Sequence, residues 1–257
     1  MELEVAMSIE LKQERWRYPR FFTENISDET AVVDGEDARH VSVVLRMRKG
    51  DIAVLCDGSG TDYLAELDSS APENCVFRIL EKSENRAEPS IRLRLFQALP
   101  KGDKMDFIVQ KAVECGAAEI VPIFTKRCVS RPDEKSMSRK LPRFQKIALE
   151  AAKQCGRGII PTVGNVVELS KLETLLSPNS TRILFYECSE TPLSRAVSEF
   201  KSNVDIVIGS EGGFEPSEAE FLEGLGFVSV SLGKRILRCE TAPIAAISVL
   251  MNMTGNM

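Results

Sequence analysis

The rhythm of apolar positions changes near residue 90. Before it, short runs rich in β-formers are punctuated by Gly, Asp, Asn and Pro. These runs are AVVDG (31–35), DIAVLCDGSG (51–60), TDYLAELD (61–68) and CVFRIL (75–80). DGSGTDY (57–63) lies between two such runs and predicts a hairpin. ARHVSVVLRM (38–47) suits a short helix closed by Lys49-Gly50. Together these segments predict a small β-barrel of about 70 residues. The polar stretch SENRAEPS (83–90) is the expected boundary, which divides the chain into 16–86 and 87–257.

Beyond the boundary, strand and helix patterns alternate. IRLRLFQAL (91–99) reads as a strand, and KMDFIVQKAVECG (104–116) as an amphipathic helix stopped at Gly116. EIVPIF (119–124) is a strand and 140–155 a helix ending at Gly156. RILFYEC (182–188), DIVIG (205–209) and VSVSLG (228–233) are further strands. PLSRAVSEF (192–200), EPSEAEFLEGLG (215–226) and TAPIAAISVLMNM (241–253) are helices. Such alternation implies an α/β domain with a mostly parallel sheet and right-handed crossovers.

Composition narrows the function. The 257 residues carry a net charge of -5, so a uniformly basic nucleic-acid coat is excluded. Charge is uneven, however. Residues 126–157 hold ten bases and three acids, which suits either a polyanion contact or a solvated helix face. The seven cysteines are scattered without a CxxC pair, and no cluster has metal-ligand spacing, so no metal is expected. The single histidine, His40, leaves no Ser/His/Asp or Cys/His hydrolase arrangement beyond its own reach. MELEVAMSIELKQ carries acids where an export signal carries bases, and the apolar stretch 242–251 is too short to span a bilayer. A soluble cytoplasmic protein is expected.

Two glycine-bearing loops hold the candidate chemistry. DIVIGSEGGFEPSEAEF runs from a buried-type strand through Gly209, Ser210, Glu211, Gly212 and Gly213 into a helix with Pro216 in its first turn. Loops at the carboxyl ends of parallel strands are where open α/β sheets bind ligands. A tight strand–helix connection capped by Glu215 or Ser217 is the alternative. The segment matches neither a Walker A nor a GxGxxG pattern, which weakens a nucleotide triphosphate or dinucleotide reading. VSVSLGKRILRCETAPIAAISVL places Lys234, Arg235, Arg238 and Glu240 on a loop before an apolar helix, with Thr241 as its expected N-cap. Those charges serve a shared pocket or face water. Lys101, Lys104 and Lys111 surround the helix that starts near 104, where a solvated face is the simpler reading.

These segments resemble, in order, the bacterial small-subunit ribosomal RNA (uracil-N3) methyltransferase family, RsmE. The motifs are RYPRFF (17–22), HVSVVLRMRKGD (40–51), KGDKMDFIVQKAVECGAAEIVPIF (101–124), QKIALEAAKQCGR (145–157), IGSEGGF (208–214) and LGKRILRCETA (232–242). The resemblance runs from about residue 17 to 250, and the first fourteen or so residues read as an extension outside it. It implies an N-terminal PUA-like β-barrel that engages RNA and a C-terminal SPOUT-type α/β domain whose chain end passes through a trefoil knot. It also implies S-adenosylmethionine as cofactor and a homodimer acting on small-subunit ribosomal RNA within an assembled 30S subunit, with no membrane. Periodicity by itself shows no knot.

The resemblance further assigns cofactor-pocket positions. Leu184, Tyr186 and Glu187 form one wall, and Ile208, Gly209, Glu211 and Gly212 a second. Leu232, Gly233, Ile236, Leu237, Arg238 and Thr241 complete it. Cys239 and Pro243 stand where other residues are common in the motif. Methyl transfer to a ring nitrogen needs alignment and loss of the imide proton. Arg238 is the expected cation for the developing anion, with a structural pair to Glu240 or Glu187 as its alternative. Glu211 is expected to serve the cofactor or to act as base. RNA contacts are expected from Arg17, Arg20, Arg46 and Arg48, and from Lys101, Lys104, Arg127, Arg131 and Arg157. Three other readings stay open: an RNA-binding assembly factor without catalysis, a ribose 2′-O methyltransferase of the same fold, and, weakened by the missing phosphate fingerprints, a nucleotide-dependent α/β enzyme.

Overall fold

The structure, a computed structural model, describes residues 17–257. The acidic N-terminal segment read above lies outside the described residues. The chain forms two compact units. The first comprises the described residues through Glu88 together with Ala152–Ile160, and the second comprises Pro89–Ala151 and Pro161–Met257.

In the first unit, β1 (Arg20–Phe22), β2 (Thr30–Asp34), β3 (Ile52–Cys56), β4 (Thr61–Ser70) and β5 (Asn74–Glu84) form one sheet in the order β1-β3-β4-β5-β2. The hairpin expected at DGSGTDY joins β3 to β4 as an antiparallel pair. Asp57 fixes its turn by accepting hydrogen bonds from the Ser59 and Thr61 backbone N–H groups. Phe21, Val33, Val41, Leu55, Leu67 and Phe77 fill the core beside the sheet.

The helix expected over 38–47 is displaced. Helix α1 (Gly35–Arg39) starts earlier, and a π-helical turn, His40–Val44, follows it. Leu45 N–H bonds to the His40 carbonyl, and Arg46 then takes a left-handed φ of 54°. Apolar residues at 41, 43, 44 and 45 cannot all share one helical face. Ala38 and Val41 are buried, while Val43, Val44 and Leu45 remain exposed.

Residues 152–160 join this unit through specific bonds. Lys153 pairs with Asp37, and Arg157 pairs with Glu88. Asn85 donates to the Gly156 carbonyl, and the Gly60 N–H reaches the Gly158 carbonyl. A Cβ on Gly158 would lie 2.6 Å from Asn85 Cβ, so only glycine permits that approach.

The second unit carries a parallel seven-stranded sheet of β6 (Arg92–Ala98), β7 (Glu119–Phe124), β8 (Thr162–Val163), β9 (Val167–Glu168), β10 (Ser180–Phe185), β11 (Asn203–Ile208) and β12 (Val228–Val230). The order is β12-β10-β11-β6-β7-β8, with β9 also on β7. Pro122 interrupts no ladder on that edge. It falls between the Ile120–Val163 and Ile123–Val167 pairings, where the neighbouring strand is broken.

Helices α2 (Lys104–Glu114), α3 (Glu134–Cys155), α4 (Leu193–Ala196), α5 (Pro216–Gly224) and α6 (Thr241–Met253) follow the strands. Three of them depart from expectation. Helix α3 begins at Glu134, not 140, and carries Pro142 in its interior; Asp133 receives the Ser136 N–H ahead of it. Helix α4 is a single turn, because its segment returns to extended backbone at Val197. Glu240, not Thr241, is the N-cap of α6. No helix among the described residues is long and apolar enough to cross a membrane.

Candidate cofactor site and RNA-facing cations

The chain leaves β6 toward β7 and leaves β11 toward β12, on opposite sides of the sheet. The carboxyl ends of β6 and β11 therefore flank the switch point at which open parallel sheets bind ligands. The loops after β6, β11, β10 and β12 all belong to this end of the sheet. Gln97, fully buried at the end of β6, donates from Nε2 to the Gly209 carbonyl at 3.2 Å. Its Oε1 is buried and has no hydrogen-bond partner among the described residues.

The turn after β11 is tightly closed. The Gly213 N–H bonds to the Ser210 carbonyl, and Gly213 has a φ of 65°. A Cβ there would collide with the Glu187 carboxylate, and one on Gly212 would lie 2.9 Å from Arg127 Cβ. The glycines at this turn are thus required by both backbone and neighbours. Glu215 then caps α5, accepting from the backbone while the Glu218 side chain bonds back to it. Of the apolar positions expected to wall a pocket, Leu184 and Ile208 are buried and Leu232 and Leu237 half-buried. The Tyr186 ring meets Phe214 edge-on, 6.4 Å between centroids.

A charged cluster joins these loops. Lys104 Nζ lies 3.0 Å from Glu211 Oε1 and 3.2 Å from Glu240 Oε2. The Lys101 backbone N–H also reaches Glu211 Oε1, and the Cys239 thiol donates to Glu240 Oε2. The hydrogen bond to Glu211, then that to Glu240, holds the Lys104 ammonium more firmly protonated than usual. Burial pushes the Glu211 carboxyl up, but bonds from its own N–H, Lys104 and Lys101 outweigh it and hold the group below its ordinary range. The Cys239 bond, with Lys104 behind it, lowers Glu240 likewise. Burial and the neighbouring carboxylates push Cys239 up to about 12, so it stays a thiol.

This arrangement corrects several expectations. Glu211, ion-paired and with a lowered pKa, is a poor proton acceptor, so the base role does not suit it. Lys104 is engaged by carboxylates and is not presented to RNA. Arg20, its side chain 9% exposed, forks onto both Asp62 oxygens in the first unit. Arg157 is 3% exposed against Glu88. Neither guanidinium is available to a phosphate. Arg127 pairs with Glu215, and Arg131 with Glu168, at half-exposed surface positions. Arg17, Arg46, Arg48 and Lys101 are exposed. Ile236, expected in the pocket wall, is 81% exposed. Arg238 is exposed and has no carboxylate partner among the described residues, so the structural pair weighed for it is not formed.

Sequence reading missed Gln97, whose signal was a lone amide ending an apolar strand. It weighed Glu240 only as a partner for Arg238, whereas Glu240 pairs with Lys104. Lys234 and Arg235 were seen as loop charges but not counted with the expected RNA contacts. Both are exposed.

Comparison with known proteins agrees with this architecture. The profile of an RNA methyltransferase domain matches residues 87–251, and that of an RNA methyltransferase PUA domain matches 33–80. The chain is 34% identical to ribosomal RNA small subunit methyltransferase E of Bacillus subtilis, covering 88% of this chain and 91% of that protein. The chain belongs to the ribosomal RNA small subunit methyltransferase E family. A family structure from Neisseria gonorrhoeae, bound to S-adenosyl methionine, superposes with a TM-score of 0.85 at 30% identity. It covers 92% of this chain and 98% of that one. A methyltransferase from Legionella pneumophila with bound cofactor SAM gives a TM-score of 0.84 at 31% identity, with 92% and 98% covered.

Proposed function

We propose that this protein transfers the methyl group of S-adenosylmethionine to N3 of a uridine in small-subunit (16S) ribosomal RNA. The observation that carries the reading is the closed glycine turn at the switch point, with an exposed, unpartnered arginine on the adjoining loop. The site suits the cofactor in three ways. Its glycine turn admits no side chain, its flanks supply apolar walls for a flat base, and Gln97 Oε1 offers a buried acceptor without a partner. S-adenosylmethionine supplies an electrophilic methyl group on a cationic sulfur.

The protein's work is alignment and charge. Fixed geometry of this kind contributes up to about 7–11 kcal/mol. Leu184, Ile208, Leu232 and Leu237 orient the adenosine, and the loop backbone holds its edge. Arg238 faces the uracil carbonyls and stabilises the anion that develops as the N3 proton departs. Glu211 acts through Lys104, not as base. Exposed Arg46, Arg48 and Lys101 position the RNA through its phosphates, while base contacts choose the target.

The remaining elements of the reading are a trefoil-knotted chain end, a cytoplasmic homodimer, an assembled 30S subunit as substrate, and domains at 16–86 and 87–257. The dimer draws support from apolar side chains left exposed on two helices that pack together, Phe107 on α2 and Val249 on α6.

Labelled S-adenosylmethionine, unmodified small subunits and nucleoside mass spectrometry test the proposal. N3-methyluridine is expected. Label on a ribose oxygen would replace the uracil target, and RNA binding without label would favour an assembly factor. Arg238→Ala is expected to lower kcat by about a hundredfold or more while leaving S-adenosylmethionine affinity in place.

A further inference from the structure

Lys104 lies where two loops of the candidate pocket approach each other. Its ammonium bonds Glu211, in the turn after β11, and Glu240, at the start of α6. It also lies 3.7 Å from Cys239 Sγ. The loop that ends at Glu240 has few other restraints. Ser231 Oγ and Gly233 bond each other at its start, and among the described residues 234–237 form no hydrogen bond. At its far end the Arg238 carbonyl accepts from the Thr241 and Ala242 N–H groups, which folds the loop onto its own helix, and Lys104 ties that end to the turn after β11.

We propose that Lys104 is a positioning residue for methyl transfer: it fastens the loop before α6 to the glycine turn and so keeps the cofactor pocket closed to the right width. The inference rests on the reading that these two loops hold S-adenosylmethionine. An isolated surface ion pair contributes little. Here, however, one ammonium separates two carboxylates, and each of the three side chains is a third exposed or less. Without Lys104, Glu211 and Glu240 face each other as like charges across the gap that the ammonium bridges, and the loop is pushed away from the turn. The residue acts on the cofactor side and not on RNA, although its place in a lysine-rich segment suggests the opposite.

Lys104→Met, Lys104→Arg and Gly213→Val are compared with the full-length wild type. Calorimetry measures S-adenosylmethionine binding, and filter binding measures affinity for unmodified small subunits across a salt series. Lys104→Met is expected to raise the cofactor Kd about tenfold to a hundredfold, as for loss of charged hydrogen bonds. Small-subunit affinity and its salt slope stay at wild-type values. Lys104→Arg recovers most of the loss. Adding Glu240→Gln to Lys104→Met is expected to recover part of the loss, because it removes one of the two like charges that push the loop away.

A cofactor Kd unchanged in Lys104→Met overturns the inference. So does a salt slope reduced by about one unit, the mark of a lost phosphate contact. If wild type and Gly213→Val bind S-adenosylmethionine equally well, the pocket itself is misassigned, and the inference falls with it for a distinguishable reason.

Discussion

Arg20 and Arg157 in the first unit are enclosed by Asp62 and Glu88, whereas Lys234, Arg235 and Arg238 in the second stand exposed on one loop with no carboxylate partner among the described residues. All five are basic residues in or beside motifs of the same family, and charge counting treats them alike. Their partners separate them. Arg20 links β1 to β4 and Arg157 fastens the returning segment, with Asn85 bonding both Asp62 oxygens and the Gly156 carbonyl. The second group keeps its charge at the surface. An arginine in a basic segment is thus informative about binding only once its carboxylate neighbours are known.

The sharpest way to break this contrast is to remove a partner in the first unit. Asp62→Ala leaves Arg20 buried and unpaired, and is expected to cost about 3–5 kcal/mol of stability, read as a lowered urea midpoint. S-adenosylmethionine affinity of the folded fraction should not move. A wild-type midpoint would show that Arg20 is not held as described. Next in size, Gly213→Val puts a branched side chain at positive φ against Glu187. It is expected to weaken cofactor binding about a hundredfold, with tight binding in calorimetry counting against the turn as a cradle.

Lys234→Ala and Arg235→Ala should act more gently. Each is expected to reduce the salt slope of RNA binding by about one unit, with melting temperature unchanged. A stability loss from either would erase the distinction drawn between the units. The smallest effect is on pH dependence. Glu211 and Glu240 have carboxyl groups lowered from the ordinary 4.5, so their contribution is complete above that value and disappears as pH falls through the lowered ones. Cofactor affinity should therefore be flat down to about pH 5 and decline below it. A decline that begins near neutrality would implicate another group.

Much of this was legible beforehand where local chemistry decides structure. DGSGTDY specified a hairpin because Asp57 bonds its own turn, and GSEGGFEP specified a closed turn and a capped helix. The candidate loops after β11 and β12 followed from glycines at strand ends. The burial of Arg20 was not legible, because its partner Asp62 lies 42 residues away. Arg157 and Glu88 are 69 apart. The early start of α3 was masked by Pro142, which reads as a first-turn residue but sits in the interior. The two-residue strands β8 and β9 are too short to show any period.

Helix α3 begins in one unit and delivers Ala152–Ile160 to the other, and this has a consequence for how a nascent chain matures. The first unit is not finished when Glu88 leaves the ribosome. At about 5–20 residues per second, several seconds pass before Ile160 is made. During that interval Asn85 and Glu88 wait without Gly156 and Arg157. A fragment ended at Glu88 would meet the same difficulty permanently, so the N-terminal sheet is expected to be a poor graft onto another protein unless the returning strap travels with it.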